Sequence, residues 1–129
     1  MRVFVYGTLM DQQLCDEKGF EYEDFQEGCI LEGFHRYKLR GEDYPVCRRK
    51  QGARVVGAIA TIRPDQLVGL DDWEDLDLGM YVRREMDIYV PRIQDVQRCY
   101  VYLQGPQIKN SDLYGEWSFA EYSKNKGLT

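Results

Sequence analysis

From Met80 to Val90 the side chains alternate with a period of two. Met80, Val82, Met86, Ile88 and Val90 fall on one face, and Tyr81, Arg83, Glu85, Asp87 and Tyr89 on the other. Successive strand residues point to opposite faces, so this segment predicts a β-strand with one side on a core. The stretch VVGAIATI, residues 55–62, predicts a strand buried on both faces, because its positions are apolar or small almost throughout. Further strands are expected at Val3–Tyr6 and Arg98–Leu103, the latter with Cys99, Val101 and Leu103 on one side. Cys29–Leu39 reads as one long or two broken strands punctuated by Gly33, and GEDYP, 41–45, as a turn closed by Pro45.

Helices are few and short. Asp11 is a suitable N-cap for a segment ending near Lys18. Pro64 opens a second helix at its first turn, with Leu67, Leu70 and Trp73 on one stripe. GEWSFAEYSKNKG, 115–127, reads as a terminal helix with Ser118 as its cap. Residues 19–28 carry no clear pattern, and 104–113 read as a loop. About six strands and two or three short helices that do not alternate regularly give an α+β class, not a doubly wound sheet. A chain of 129 residues suits one domain, 1–129, with a sizeable core.

Several functions are excluded by composition. The net charge is −5, and basic residues are scattered apart from Arg48-Arg49-Lys50 and Arg83-Arg84, so neither nucleic acid nor a membrane is an expected partner. No apolar run approaches the roughly 20 residues of a membrane span. A strand begins at once after Met1 and no signal peptide is visible, so a cytoplasmic location is expected. The cysteines, at 15, 29, 47 and 99, form no C-x-x-C pair and are expected to be reduced residues in or near the core. The one histidine, His35, reads as structural or surface, and no metal site is expected. Serines occur only at 111, 118 and 123, outside any nucleophile elbow, and there is no phosphate loop, dinucleotide fingerprint or H-E-x-x-H. Catalysis in this chain would rest on carboxylates, tyrosines and backbone donors.

Two segments carry chemical interest. In VFVYGTLM, 3–10, a strand runs into Tyr6-Gly7-Thr8-Leu9. Reversing turns favour Asn, Asp, Pro and Gly, whereas Leu9 and Met10 are poor turn residues. The segment gathers backbone N–H groups at a strand exit, the makings of an anion nest, and reads equally as a plain strand end broken at Gly7. In LDDWEDLDLGMYVRR, 70–84, carboxylates crowd the end of the second helix. Glu74 lies beside the Leu67–Leu70–Trp73 stripe, whereas Asp72, Asp75 and Asp77 lie toward solvent. Glu74 is therefore the acid placed for desolvation, which raises a carboxyl pKa toward the range of a general base. The same segment also reads as a solvated acidic helix end. Arg83, on the face of Tyr81, is placed to pair with this cluster.

These motifs, in this order, resemble the γ-glutamylcyclotransferase-like superfamily, and within it the branch of plant avirulence-induced-gene proteins and γ-glutamylamine cyclotransferases. VFVYGTL matches the opening Tyr-Gly-[Ser/Thr]-Leu loop, and LDDWEDLDLGMYVRREMDIYV, 70–90, matches the Leu-Asp-x-x-Glu segment with its following Tyr and Arg. GFHRYKL, YPVC and VVGAIATI fall between them in the family's order, and YGEWSFAEY, 114–122, is similar to the tail of the plant branch. The resemblance implies a small mixed β-barrel flanked by short helices, with a cavity at one end. It implies cleavage of a γ-glutamyl amide to 5-oxoproline and a free amine, without cofactor. It implies a substrate-binding role for Tyr6, Gly7, Thr8 and Leu9 and an acid/base role for Glu74. Tyr81 is read as a hydrogen-bond partner of Glu74 or of substrate. Many members carry glycine after the glutamate; this chain has Asp75. The alternatives are a non-catalytic binding module for a small metabolite on the same fold, and an interaction protein whose acidic 71–77 segment meets a basic partner.

Overall fold

The computed structural model describes residues 1–127; residues 128 and 129, part of the single domain expected above, lie outside the described residues. Five strands close a barrel: β1 (Arg2–Val5), β2 (Asp24–Leu39), β3 (Pro45–Thr61), β4 (Tyr81–Val90) and β5 (Asp95–Gln104), in the spatial order β3-β1-β5-β4-β2 with β2 returning to β3. A short β6 (Leu113–Tyr114) pairs with the end of β2. The β1–β5 pair is parallel and the other pairs are antiparallel, so the barrel is mixed. Three short helices flank it: α1 (Gln12–Lys18), α2 (Pro64–Trp73) and α3 (Phe119–Gly127). No helix among the described residues is long and apolar enough to cross a membrane.

The period-two pattern of the strands sorts the core into two layers. Phe4, Leu31, Val55, Ile59, Ile88, Val90 and Val101 pack together inside the barrel. Val3, Val5, Ala58 and Ala60, one residue out of phase with them, pack outward with Cys15, Leu67 and Leu70 of α1 and α2. The long β2 and β3 bend around the barrel through register shifts at Gln26/Cys29 and Glu32/Phe34, where Gly28 and Gly33 take φ of +76° and +81°. An extra residue in one strand increases bend and twist, which a narrow barrel needs.

Several boundaries differ from the sequence expectations. β2 begins at Asp24, inside the segment with no pattern, and β3 runs from Pro45 to Thr61, well before Val55. Residues 48–52 are polar or glycine and exposed on both faces, so this arm of the hairpin has no alternation to read. Within 55–62, Val56 is 50% exposed, so burial on both faces holds only where the helices cover Ala58 and Ala60. β4 starts at Tyr81, one residue after Met80, and β5 begins at Asp95 before Arg98. The 104–113 loop contains a 3-10 turn at Asn110–Asp112 and the start of β6. The caps are as read: Asp11 accepts from the N–H groups of Gln13 and Leu14 at 3.1 and 3.3 Å, and Ser118 Oγ accepts from Glu121 N–H at 3.3 Å. All four cysteines are free and buried, and His35 bonds the Gly115 carbonyl at 2.8 Å.

β1 lies so close to β3 that a Cβ on Gly57 would sit 2.5 Å from the Val5 carbonyl oxygen and 2.8 Å from the Phe4 ring. Backbone and a packed ring cannot both retreat. Gly57→Ala is therefore expected to cost about 3 kcal/mol, read as a lowered urea midpoint at unchanged m-value.

Candidate active site

Glu74 owes its position to the way α2 ends. The helix docks through Leu67 and Leu70, which are buried, while Val68 is 66% exposed and Trp73 37%. Trp73 is thus not a full member of the buried stripe; it packs edge-on against Phe20 with the Lys18 ammonium over its ring. Glu74 is the C-cap, its N–H bonded to the Leu70 carbonyl at 2.9 Å. Asp75 then takes φ of 50°, which stops the helix and turns the chain toward β4.

The Tyr6–Leu9 loop is a strand exit followed at once by one 3-10 turn, Thr8–Met10. Met10 N–H bonds the Gly7 carbonyl and Asp11 N–H the Thr8 carbonyl, at 3.0 and 2.9 Å. The N–H groups of Thr8 and Leu9 precede the first intrahelical bond and take no partner among the described residues. Gly7 is also required by packing. A Cβ there would stand 2.7 Å from Pro45 Cδ, so the barrel itself requires glycine at this position. Tyr6 is also committed internally: its hydroxyl donates to the Tyr102 carbonyl, and its own carbonyl accepts from Arg36 Nη1 at 2.8 Å.

The loop and Glu74 line one cavity of about 1020 Å³, together with Tyr44, Tyr81, Tyr102 and Trp117. The Tyr81 hydroxyl donates to the Pro45 carbonyl at 2.8 Å, so its proton is not offered to Glu74 as the sequence reading allowed. Its lone pairs remain as acceptors. Arg83 pairs with Asp71, as expected of the acidic cluster. The outer end of the cavity is formed by the tail. Trp117 donates its indole N–H to the Asp43 carbonyl at 2.8 Å, and α3 is tied to Asp11 by Tyr122 at 2.9 Å and Lys126 at 2.5 Å.

The electrostatics single out Glu74. Burial first, and the neighbouring Asp75 carboxylate second, raise its pKa from 4.5 to about 8. Its exposure is intermediate because it faces the cavity, yet surrounding protein keeps desolvation dominant, and no hydrogen bond or ion pair among the described residues offsets it. Tyr6, Tyr81 and Tyr102 are each raised by burial before any other cause and stay neutral. The Tyr44 hydroxyl is raised by burial and then by Glu42, Asp75, Glu74 and Asp43, which places carboxylates from two chain segments around one part of the wall. Among the described residues no group of three or more His, Cys, Asp or Glu side chains is arranged to hold a metal ion.

Sequence reasoning missed Arg36, Tyr44, Tyr102 and the second use of Asp11. Arg36 holds the carbonyls of Tyr6, Trp117 and Val56 at 2.8, 3.1 and 3.2 Å, so one guanidinium joins the loop to the tail. Nothing in GFHRYKL distinguishes it from a solvated strand arginine. Tyr44 lay within a segment assigned to turn chemistry.

A family model described as γ-glutamyl cyclotransferase, AIG2-like, matches residues 3–119. AIG2-like protein C of Arabidopsis thaliana is 28% identical over 124 residues, which cover 95% of this chain and 69% of that protein. A solution structure of an Arabidopsis thaliana protein superposes with a TM-score of 0.75 at 23% identity, covering 98% of this chain and 83% of that one. A structure of a γ-glutamyl cyclotransferase gives a TM-score of 0.71 at 19% identity, over 98% and 80% of the two chains. At these identities the structures speak for a shared fold.

A carboxyl whose folded pKa lies above its unfolded value costs nothing below about pH 4.5. The cost grows between there and about 8, where the folded state holds a proton the unfolded chain has released, and is complete above 8. Glu74→Gln is expected to stabilise the fold at pH 8.5 by at most on the order of 4–5 kcal/mol, since cavity water screens part of the penalty. The gain should vanish near pH 4.5, and urea unfolding at the two pH values checks it.

Proposed function

The chain belongs to the γ-glutamyl cyclotransferase, AIG2-like family, and from that premise we propose that it cleaves a γ-glutamyl amide into 5-oxoproline and a free amine. The observation that carries this reading is the meeting, in one cavity, of an unpartnered carboxyl with a raised pKa and a pair of unpartnered backbone N–H groups. A binding module would have little use for a desolvated, unpaired acid, which only costs stability. An interaction surface at 71–77 would have little use for a cavity of this size.

The chemistry follows from the parts. The substrate α-carboxylate sits at the N–H groups of Thr8 and Leu9, which supply donors and no competing acid. Tyr81, its proton held by Pro45, accepts a hydrogen bond from a substrate N–H. The α-amino group, once neutral, attacks the γ-carbonyl carbon; the new C–N bond closes the ring as Glu74 takes one proton from the attacking nitrogen. Glu74 then gives that proton to the leaving nitrogen as the old C–N bond breaks. One proton leaves one nitrogen and reaches the other, and the carboxylate is regenerated. Because nucleophile and electrophile belong to one molecule, proximity does much of the work.

Glu74→Gln keeps shape and hydrogen-bonding capacity and removes the base. A loss of kcat of at least about 10,000-fold is expected, with 5-oxoproline binding kept, because general acid–base catalysis is worth about 100- to 10,000-fold and this group serves twice. In the wild type, kcat/KM should rise with pH to a midpoint near 8, where Glu74 ionises. A 5-oxoproline release assay over a panel of γ-glutamyl compounds tests the reading; wild-type rates in Glu74→Gln would remove it.

The wall beyond Glu74 bears on the leaving group. Glu42, Asp43, Asp72 and Asp75 line the cavity and have no ion-pair partner among the described residues, whereas Lys38 is paired with Glu121 at 3.4 Å and Lys126 with Asp11 at 2.5 Å. Carboxylates among aromatic rings favour an ammonium group. A γ-glutamyl amide of a diamine should therefore have a kcat/KM about 10- to 100-fold above one whose leaving group carries a carboxylate, and added salt should narrow the difference.

A further inference from the structure

The grip of α2 on the barrel is narrow. Leu67 and Leu70 are its buried residues, Trp73 packs edge-on against Phe20 and Gln66 Oε1 accepts the Glu21 N–H at 3.2 Å, so among the described residues the side-chain hydrogen bonds from α2 to the barrel strands are those of Asp71. Glu74 follows the last helical residue, and beyond it the chain turns at once. Where the carboxyl points is then set by whatever fixes the rotation of α2.

Asp71 is placed to do this. Its Oδ2 pairs with Arg83 on β4, and its Oδ1 accepts the Tyr102 hydroxyl on β5 at 2.8 Å. Arg83 and Tyr102 are direct cross-strand partners, so a single carboxylate spans one rung of the β4–β5 ladder. The guanidinium is held over the Tyr100 ring at 4.9 Å, which fixes the anchor itself. Tyr102 also takes the Tyr6 hydroxyl on its carbonyl. The end of α2 and the start of the Tyr6–Leu9 loop are thereby referenced to the same residue. Tyr102 lines the cavity and Asp71 does not, so Asp71 has no route to substrate except through others.

We propose that Asp71 is a positioning residue, locking the end of α2 to the Arg83–Tyr102 rung so that Glu74 faces the Tyr6–Leu9 loop. The claim rests on the reading of Glu74 as the acid/base. The groups that sense Glu74 are Asp75 on its own turn, Tyr44 of the β2–β3 turn, Tyr6 on β1, Tyr22 before β2, Tyr81 on β4 and Tyr102 on β5. Asp71 neutralises Arg83, and without it the Arg83 guanidinium is left uncompensated beside Tyr102.

The test uses Asp71→Asn and Tyr102→Phe, with Asp77→Asn as an exposed control that removes the same charge. Glu74 is titrated directly by carboxyl carbon NMR, and kcat and KM are measured on a γ-glutamyl amide. A misplacement of about 1 Å can cost about 100-fold. Asp71→Asn should lose about 30- to 100-fold in kcat with KM changed less than about threefold, and the Glu74 midpoint should fall by about a unit or more. Tyr102→Phe keeps the ion pair and the backbone carbonyl; it should lose about 3- to 10-fold in kcat with a smaller downward shift. It also serves if Asp71→Asn does not fold. An unchanged Glu74 midpoint in the folded variants overturns the proposal, as does a kcat matching the Asp77→Asn control. The titration needs no turnover, so a wild type inactive on every amide would defeat the proposed function and still leave the positioning of Glu74 decided by its midpoint.

Discussion

A carboxyl group withdrawn from water with nothing to pair it is the constraint around which this fold is arranged. Glu74 lacks the two usual remedies, a counter-ion and a set of donors, so its charge is opposed by burial and by Asp75. A domain of this size has a stability of only about 5–15 kcal/mol, and a penalty of a few kcal/mol is a large share of it. The barrel bears that cost through its interior layer and the outer layer under the helices. Three of the buried hydroxyls around Glu74 are otherwise engaged. Tyr81 gives its proton to Pro45, Tyr6 to Tyr102, and Tyr102 to Asp71.

The two halves of the site meet because strand direction and element length match. β3 is antiparallel to β1, with Thr61 opposite Arg2, so the chain leaves β3 at the end where β1 begins. α2 has ten residues and spans about 15 Å. β1 has four and spans about 13 Å. A helix of that length, running back along β1, delivers its C-terminus to the place where β1 exits. The Tyr6–Leu9 loop and Glu74 are thus neighbours by arithmetic, although 64 residues of the 129 lie between Leu9 and Glu74. Pro45 completes the junction: it excludes a side chain at position 7 and accepts the Tyr81 proton.

What could be read from the sequence follows how local each cause is. The alternation in β4, the caps at Asp11 and Ser118, and the place of Glu74 beside the Leu67–Leu70 stripe all arise within one element, and their residues carry the information. The charged arm of β3 is a strand because β2 pairs with it from Phe34 to Lys38, and its composition alone, Arg48, Arg49, Lys50 and Gln51, gives no sign of that. Gly7 was legible as a break in the strand, but the group that packs against it, Pro45, is fixed by the barrel. Arg36 and Tyr102 have roles defined wholly by tertiary contacts with carbonyls and a carboxylate from other strands. Such bonds leave no period or spacing behind.

Asp75 joins the local and tertiary levels. The turn after Glu74 requires φ near 50°, the left-handed region where glycine is at no disadvantage. Aspartate is among the few residues that tolerate the region, at a cost of about 1–2 kcal/mol. What this chain gains is a second carboxylate beside the first. Asp75 is exposed whereas Glu74 is crowded, so the neighbouring carboxylate drives the pKa of the buried member further up. The same charge faces the cavity with Glu42 and Asp43 around Tyr44. One backbone strain thus has two electrostatic consequences: it holds Glu74 in its protonated form to a higher pH, and it adds a carboxylate to the adjoining wall.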